Sequence, residues 1–244
     1  MKKVKKMILP KTIHPSWQDF LTDEIRQEIN TIECRIGEEC NPSNRQHILR
    51  FLTIDLAKVK VIWLGQDVYP MKGVATGRSF EVGTLESWQQ PFKQVSMKNI
   101  IRLIHKDYNN IQSYQDIKSY EEIKKEIANG EFNLQNPQKW FDALEEQGVL
   151  FLNTSFTCEP GKPNSHKDIW AHFSSCVLTY ISENNPQISW FLWGNEAIGN
   201  KKYVKQGVFY ESRHPMMCSV KFENDFLKFD GFRQTMHMIN WLGV

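Results

Sequence analysis

With 244 residues, 41% of them hydrophobic and 24% charged, the chain has the make-up of a folded globular protein, long enough for one large α/β domain or two small ones. Thirty Lys and Arg against 28 Asp and Glu leave a formal charge of only +2, so any attraction to a polyanion must come from a local basic face. Five cysteines with no C-x-x-C pair signal no disulfide framework and no zinc or iron–sulfur site, and read as reduced thiols in an intracellular protein.

In chain order, the basic start MKKVKK leads into an apolar run that stops at Pro10, too short for the core of a signal peptide. Helical spacing follows over Trp17–Thr31. The run Val59–Leu64 (VKVIWL), rich in β-branched and aromatic residues and too short for a helix, predicts the first strand. Helical spacing returns over Ser96–Tyr108, Lys118–Asn129 and Pro137–Gln147. A second strand is expected at Val149–Leu152, a helix over Asp168–Asn184, strands at Ile188–Trp193 and Val208–Tyr210, and a last helix over Gly231–Leu242. No run approaches the length of a membrane span. There is no repeat and no long linker, so residues 1–244 are expected to form a single α/β domain. Continuous apolar strands alternating with helices imply a central four-stranded, mainly parallel sheet flanked by helices on both faces.

Open sheets of this kind bind ligands beyond the carboxyl ends of their strands, so the residues after each run carry the information. They are Gly65-Gln66-Asp67-Val68-Tyr69-Pro70, Asn153-Thr154, Gly194-Asn195 and Ser212-Arg213-His214-Pro215. Converging on one edge, they bring a carboxylate, an amide, a histidine and a tyrosine, without a P-loop, a nucleophile elbow or a G-x-G-x-x-G motif. Such a set can stabilise a sugar cation, orient a water and support a departing anion. Taken singly, each residue has a plainer reading: Asp67 as the cap of a turn, Asn153 as a turn residue, Phe80 as core, and His214 as an exposed loop histidine. Trp17, Trp140, Trp170, Trp190, Trp193 and Trp241 read as packing.

Four segments in order resemble family 1 uracil-DNA glycosylases. GQDVYPMKGVATGRSF is similar to that family's GQDPYH segment and its later Ser-Phe, and GVLFLNTSFTCEPGKPNSHKDIWAHF to its LLLNT, NSH and Trp/Phe stretch. FLWGN resembles its LLWG turn and HPMMCS its HPSPLS loop. The resemblance implies an enzyme that flips uracil out of DNA and hydrolyses its N-glycosidic bond, with no metal and no cofactor. It implies that Asp67 positions the attacking water and stabilises the sugar cation, while His214 donates to uracil O2. Gln66 would fix the flipped base through its backbone, Tyr69 exclude the 5-methyl of thymine, Phe80 stack on the ring, and Asn153 pair with N3–H and O4. Ser165 and His166 would support the site. DNA contacts would come from Ser96, Asn195, Met217, Cys218 and Ser219, with Lys162, Lys167, Arg213 and Lys221 nearby.

The sequence departs from the family pattern in four places, two of them in the parts that handle DNA. Val68 and Pro70 replace a proline and a histidine, which reshapes the turn and leaves Asp67 and Tyr69 in place, and Gln90–Ser96 stands for the family's proline-rich loop largely without its prolines. Cys218 stands where the family has a wedging leucine, so either Met217 supplies the wedge or duplex uracil is processed less well than single-stranded uracil, where no gap needs filling. Residues 107–132 read as an insertion without an assigned role. The expected partner is uracil-containing DNA, single- or double-stranded, and a DNA-mimicking protein inhibitor is a further implied partner. The protein is expected to be a monomer, off the membrane, cytoplasmic, or nuclear in a eukaryotic host. The rival reading is a DNA-binding or replication-scaffold protein that keeps the fold with little turnover.

Overall fold

The computed structural model describes residues 7–244; the basic start MKKVKK lies outside the described residues. Four strands form a parallel sheet in the order β2-β1-β3-β4: β1 (Val61–Gly65), β2 (Val149–Asn153), β3 (Ser189–Trp193) and β4 (Val208–Ser212). The first three are buried along their whole length, which is why they read as unbroken apolar runs. β2 and β4 are the edge strands, and of the five residues of β4 only Ser212 is buried.

Side chains alternate across the sheet and build two cores. Ile62, Leu64, Leu150, Leu152, Trp190 and Leu192 face α1 (Asp23–Arg35) and α5 (Lys167–Asn184). Val61, Trp63, Val149, Phe151, Phe191 and Trp193 face α2 (Val95–Tyr108), α3 (Tyr120–Asn129) and α4 (Pro137–Gln147). On this second face Trp63 meets Phe151, Trp193 and Trp241 at centroid distances of 5.1, 5.2 and 5.7 Å. Two further helices are short: α6 (Asn195–Gly199) and α7 (Gly231–Thr235).

Local chemistry explains where helices start and stop. Ser119 and Glu122 form a reciprocal capping box at α3, and Gly130 ends it in the left-handed region at φ 77°. The helix expected over Trp17–Thr31 is two elements, because Pro15 opens a 3-10 turn through Trp17 and Thr22 then caps α1, its hydroxyl accepting from Ile25 N. The helix expected over Gly231–Leu242 stops at Thr235. There the Thr235 hydroxyl donates to the carbonyl of Gly231 (2.6 Å), and Trp241 Nε1 donates to the Phe232 carbonyl (3.1 Å), so side chains take acceptors that a longer helix would use. α6 was not foreseen; a five-residue helix has too few positions to display a period.

Among the described residues no helix is long and apolar enough to cross a membrane.

Candidate active site

Crossing from β2 over β1 to β3 opens a crevice at the carboxyl ends of the central strands. A cavity of about 260 Å³ lies there, lined by Gln66, Asp67, Tyr69, Phe80, Asn153 and His214 together with Ser96, Arg78, Asn164 and Met216. All six pocket and catalytic candidates from the sequence therefore meet in one place. An adjoining cavity is lined by Phe80, Trp193, Asn195, His214 and Met216.

Gly65 and Asn153 are register partners at the ends of β1 and β2. The buried Asn153 side chain makes no hydrogen bond among the described residues, which leaves its amide oxygen and both amide hydrogens for a ligand. Any side chain at 65 would collide with it, since an added Cβ overlaps Asn153 Oδ1 and stands 2.8 Å from Ser79 Cβ. Glycine here is a condition for the amide's position.

Asp67 follows in the turn after β1. Its Oδ2 accepts from the backbone N–H of Asn164 at 2.5 Å, whereas Oδ1 is buried with no partner among the described residues. The nearby Ser155 hydroxyl donates instead to the Thr157 carbonyl (3.0 Å). Burial pushes the Asp67 carboxyl above the ordinary carboxylate range, and the Asn164 N–H partly opposes the shift. Asn164 sits at φ 62°, a conformation asparagine tolerates, and its side chain accepts from Gln66 Nε2 at 3.0 Å. Sequence reasoning missed Asn164, although the Asn-Ser-His triplet contains it. Its contact with Asp67 is made by a backbone amide, which any residue except proline carries.

Gln66 is fixed by its own carbonyl, which accepts from Ser155 N (2.8 Å) and Thr154 Oγ1 (3.0 Å). Tyr69 donates from its hydroxyl to the Phe80 carbonyl at 3.3 Å, and burial raises its pKa, so the ring stays a neutral wall. Phe80 adopts φ 64°, unusual for an aromatic residue and costly by about 1–3 kcal/mol. It is held there by Trp193, 5.2 Å away edge-on, and by its neighbours: Ser79 Oγ donates to the Trp63 carbonyl (2.9 Å), and the buried Arg78 pairs with Glu81 (3.2 Å), Asp142 (2.8 Å) and Glu145. Arg78 also went unnoticed in the sequence, because its partners lie up to 67 positions away.

His214 Nδ1 accepts from the Met216 N–H at 3.2 Å. A nitrogen that accepts is unprotonated, so the ring hydrogen belongs on Nε2. Burial lowers the pKa of His214, which keeps the imidazole neutral and leaves Nε2–H as a donor.

The remaining candidates are placed around the cavity. Ser96 lies in the first turn of α2 and lines it. Asn195 is exposed at the start of α6 and lines the adjoining cavity instead. Met216 and Met217 are 58% and 56% exposed, while Cys218 is half-buried and its thiol donates to the Pro215 carbonyl at 3.3 Å. The thiol therefore stays within its own loop, and the two methionines are the side chains that project. Ser219 N donates to Asp225 Oδ2 at 2.5 Å. His166 is buried with Nδ1 2.9 Å from Thr157 Oγ1, and burial lowers its pKa; Ser165 Oγ accepts from Glu159 N at 2.7 Å. Both fasten the loop that presents Asn164.

No family model matches the chain. It is 30% identical over 242 residues to uracil-DNA glycosylase of Borrelia duttonii, covering 93% of each chain. It is 33% identical over 190 residues to uracil-DNA glycosylase 1 of Listeria innocua, covering 75% of this chain and 73% of that one. Among solved structures, the UNG of Nitratifractor salsuginis superposes with a TM-score of 0.68 at 17% identity over 93% of both chains. Mimivirus uracil-DNA glycosylase gives 0.62 at 19% identity over 86% of this chain and 71% of that one, and a mimivirus UNG variant of the same fold was solved in complex with UGI.

Proposed function

The chain belongs to the uracil-DNA glycosylase family, and from that premise we propose how its site removes uracil from DNA and that it does so as a monofunctional hydrolase, leaving an abasic site. The observation that carries the reading is Asp67 Oδ1, a buried and unpartnered carboxylate oxygen in a cavity shared with His214, Asn153, Tyr69 and Phe80.

A base inside a duplex is out of reach, so glycosylases extrude it at a cost of a few kcal/mol and read its Watson–Crick edge in a pocket. In this chain the free Asn153 amide offers a donor to O4 and an acceptor to N3–H, the pattern of uracil and the reverse of cytosine. Phe80 supplies the stacking face. Tyr69 fills the space that a 5-methyl group would need. As the glycosidic bond lengthens, the sugar becomes cationic and the base anionic. Asp67 faces the cation and orients water through Oδ1, while Asn164 N–H fixes Oδ2. His214 Nε2–H donates to O2 as charge grows there. A neutral donor suits the task, because it stabilises the developing anion without adding a buried cation beforehand.

Ser96, Asn195 and Ser219 are assigned to the DNA backbone, and Met217, exposed beside His214, to the gap left by the flipped base. A DNA-mimicking inhibitor would cover this same face. The protein is taken to act as an intracellular monomer.

The test is release of free uracil from a uracil-containing single strand. Release that is lost in Asp67→Asn supports the assignment. A folded parent that binds DNA and releases no uracil at micromolar enzyme would leave the DNA-binding reading in its place. Tyr69→Ala should gain activity on thymine, measured as release of free thymine; no gain would remove Tyr69 from the pocket wall.

A further inference from the structure

Residues 107–132 carry side chains that reach the stretch leading into Ser96 and the loop that holds Ser219. On one side Tyr120 OH donates to the Trp88 carbonyl (3.0 Å) and Gln89 Nε2 donates to the Lys124 carbonyl (2.8 Å), which ties the stretch ahead of Ser96 to α3. Lys98 Nζ lies 5.2 Å from the Phe92 ring centroid and 5.5 Å from that of Tyr120, between the same two elements. On the other side Tyr114 OH donates to Asp225 Oδ1 (3.0 Å). Asp225 is wholly buried, and the same carboxylate accepts from Ser219 N (2.5 Å) and Leu227 N (3.0 Å). Between the two, Arg102 of α2 donates Nε to the Lys118 carbonyl (2.8 Å) and Nη1 to Asn99 Oδ1 (2.9 Å), and Asn99 Nδ2 donates to the Pro215 carbonyl (2.6 Å), next to His214.

We propose that residues 109–129 are a brace that positions the 214–219 loop for the reaction, with Tyr114 acting on Ser219 through Asp225 and Arg102 acting on His214 and Pro215 through Asn99. The inference rests on the functional reading above for what the loop does.

The physical need is plain from the loop itself. Met216, Met217, Val220 and Phe222 are 58%, 56%, 53% and 42% exposed, so this loop has little apolar burial to hold it. A donor that must meet a developing charge has to be fixed before the charge appears. Here polar tethers supply the fixing. A buried carboxylate with three donors is a satisfied network, and the loss of one donor weakens the bonds that remain. The Tyr114 ring packs against the core on this face of the sheet, so Tyr114→Phe deletes the hydroxyl and keeps the packing.

The experiment compares the parent, Tyr114→Phe and Arg102→Met by hydrogen exchange of the peptide spanning 214–225, and by steady-state uracil release from a uracil-containing single strand. The expected result is exchange in that peptide faster by roughly 3–10-fold, the range one net hydrogen bond sets, with strands β1 to β3 unchanged. In Tyr114→Phe, KM should rise by a similar factor while kcat stays within about twofold, since Ser219 is assigned to DNA and not to the chemistry. In Arg102→Met, kcat should fall. Unchanged exchange in 214–225, or faster exchange spread evenly over the sheet, overturns the brace. A parent that releases no uracil overturns the functional reading alone, because exchange needs no turnover and still decides the brace.

Discussion

Gly65→Ala adds a single methyl group at the register partner of Asn153. The added Cβ would stand 2.8 Å from Ser79 Cβ and overlap Asn153 Oδ1 outright, closer than real Cβ atoms approach anything. Ser79 cannot give way, because its hydroxyl is tied to the Trp63 carbonyl inside the sheet. The amide of Asn153 must therefore retreat by about 1 Å to restore ordinary contact, and a misplacement of that size costs roughly 10²-fold in rate. Overpacking a filled site costs about 1–3 kcal/mol of stability besides. The assay is kcat/KM for uracil release from a single strand, with urea unfolding run alongside. A fall of roughly 10²-fold in a protein that still unfolds cooperatively supports Asn153 as the base reader. If kcat/KM stays within about threefold of the parent, the amide is not the reader and the argument fails.

Asp67→Asn should cost roughly 10²–10³-fold in kcat, the scale of one preorganised charge group, while raising the unfolding midpoint in urea, since a carboxyl whose pKa burial has raised is destabilising when ionised. The pH–rate profile should have an acid limb above the ordinary carboxylate range: Asp67 must be ionised and its pKa is raised, while His214, with its pKa lowered, stays neutral over the working range; an acid limb at or below pH 4 would contradict this. Away from the site, burial pushes Asp107 up to about 6 despite Lys106 and Arg233. A carboxyl raised in the folded state gives stability below its unfolded pKa that is lost as pH rises through about 6, so Asp107→Asn should gain up to about 3 kcal/mol at pH 8 relative to pH 4 in urea unfolding.

The strands were legible because β1, β2 and β3 are buried on both faces, so nothing polar interrupts their runs. The pocket was legible because Asp67, Asn153 and His214 each end or follow a strand in a parallel sheet, which brings strand ends together whatever the loops do. What escaped depends on contacts with no local trace. Asn164 acts on Asp67 through a backbone N–H 97 positions away, Arg78 finds two of its three carboxylates on α4, and Tyr114 meets Asp225 across 111 positions. The early break at Thr22 had a readable signal, Thr followed by Asp and Glu, which outcompetes continuation of the apolar period.

The site divides by how its members are held. Asp67 follows β1, which is paired on both sides, and Asn153 ends β2, an edge strand buried along its whole length, so their backbone positions are set by the sheet. His214 follows β4, the edge strand of which only Ser212 is buried, and its loop is exposed at Met216 and Met217. Reading the base and holding the carboxylate thus belong to the rigid part of the fold, whereas the donor to the departing base belongs to the part most free to move. That assignment suits the chemistry: the pocket must be preformed to select uracil, while the loop that crosses the vacated stack must admit the nucleotide before it closes on it. The tethers from Asn99 and Asp225 limit how far that freedom extends, so the loop can yield to DNA and still return His214 Nε2–H to the place where charge develops.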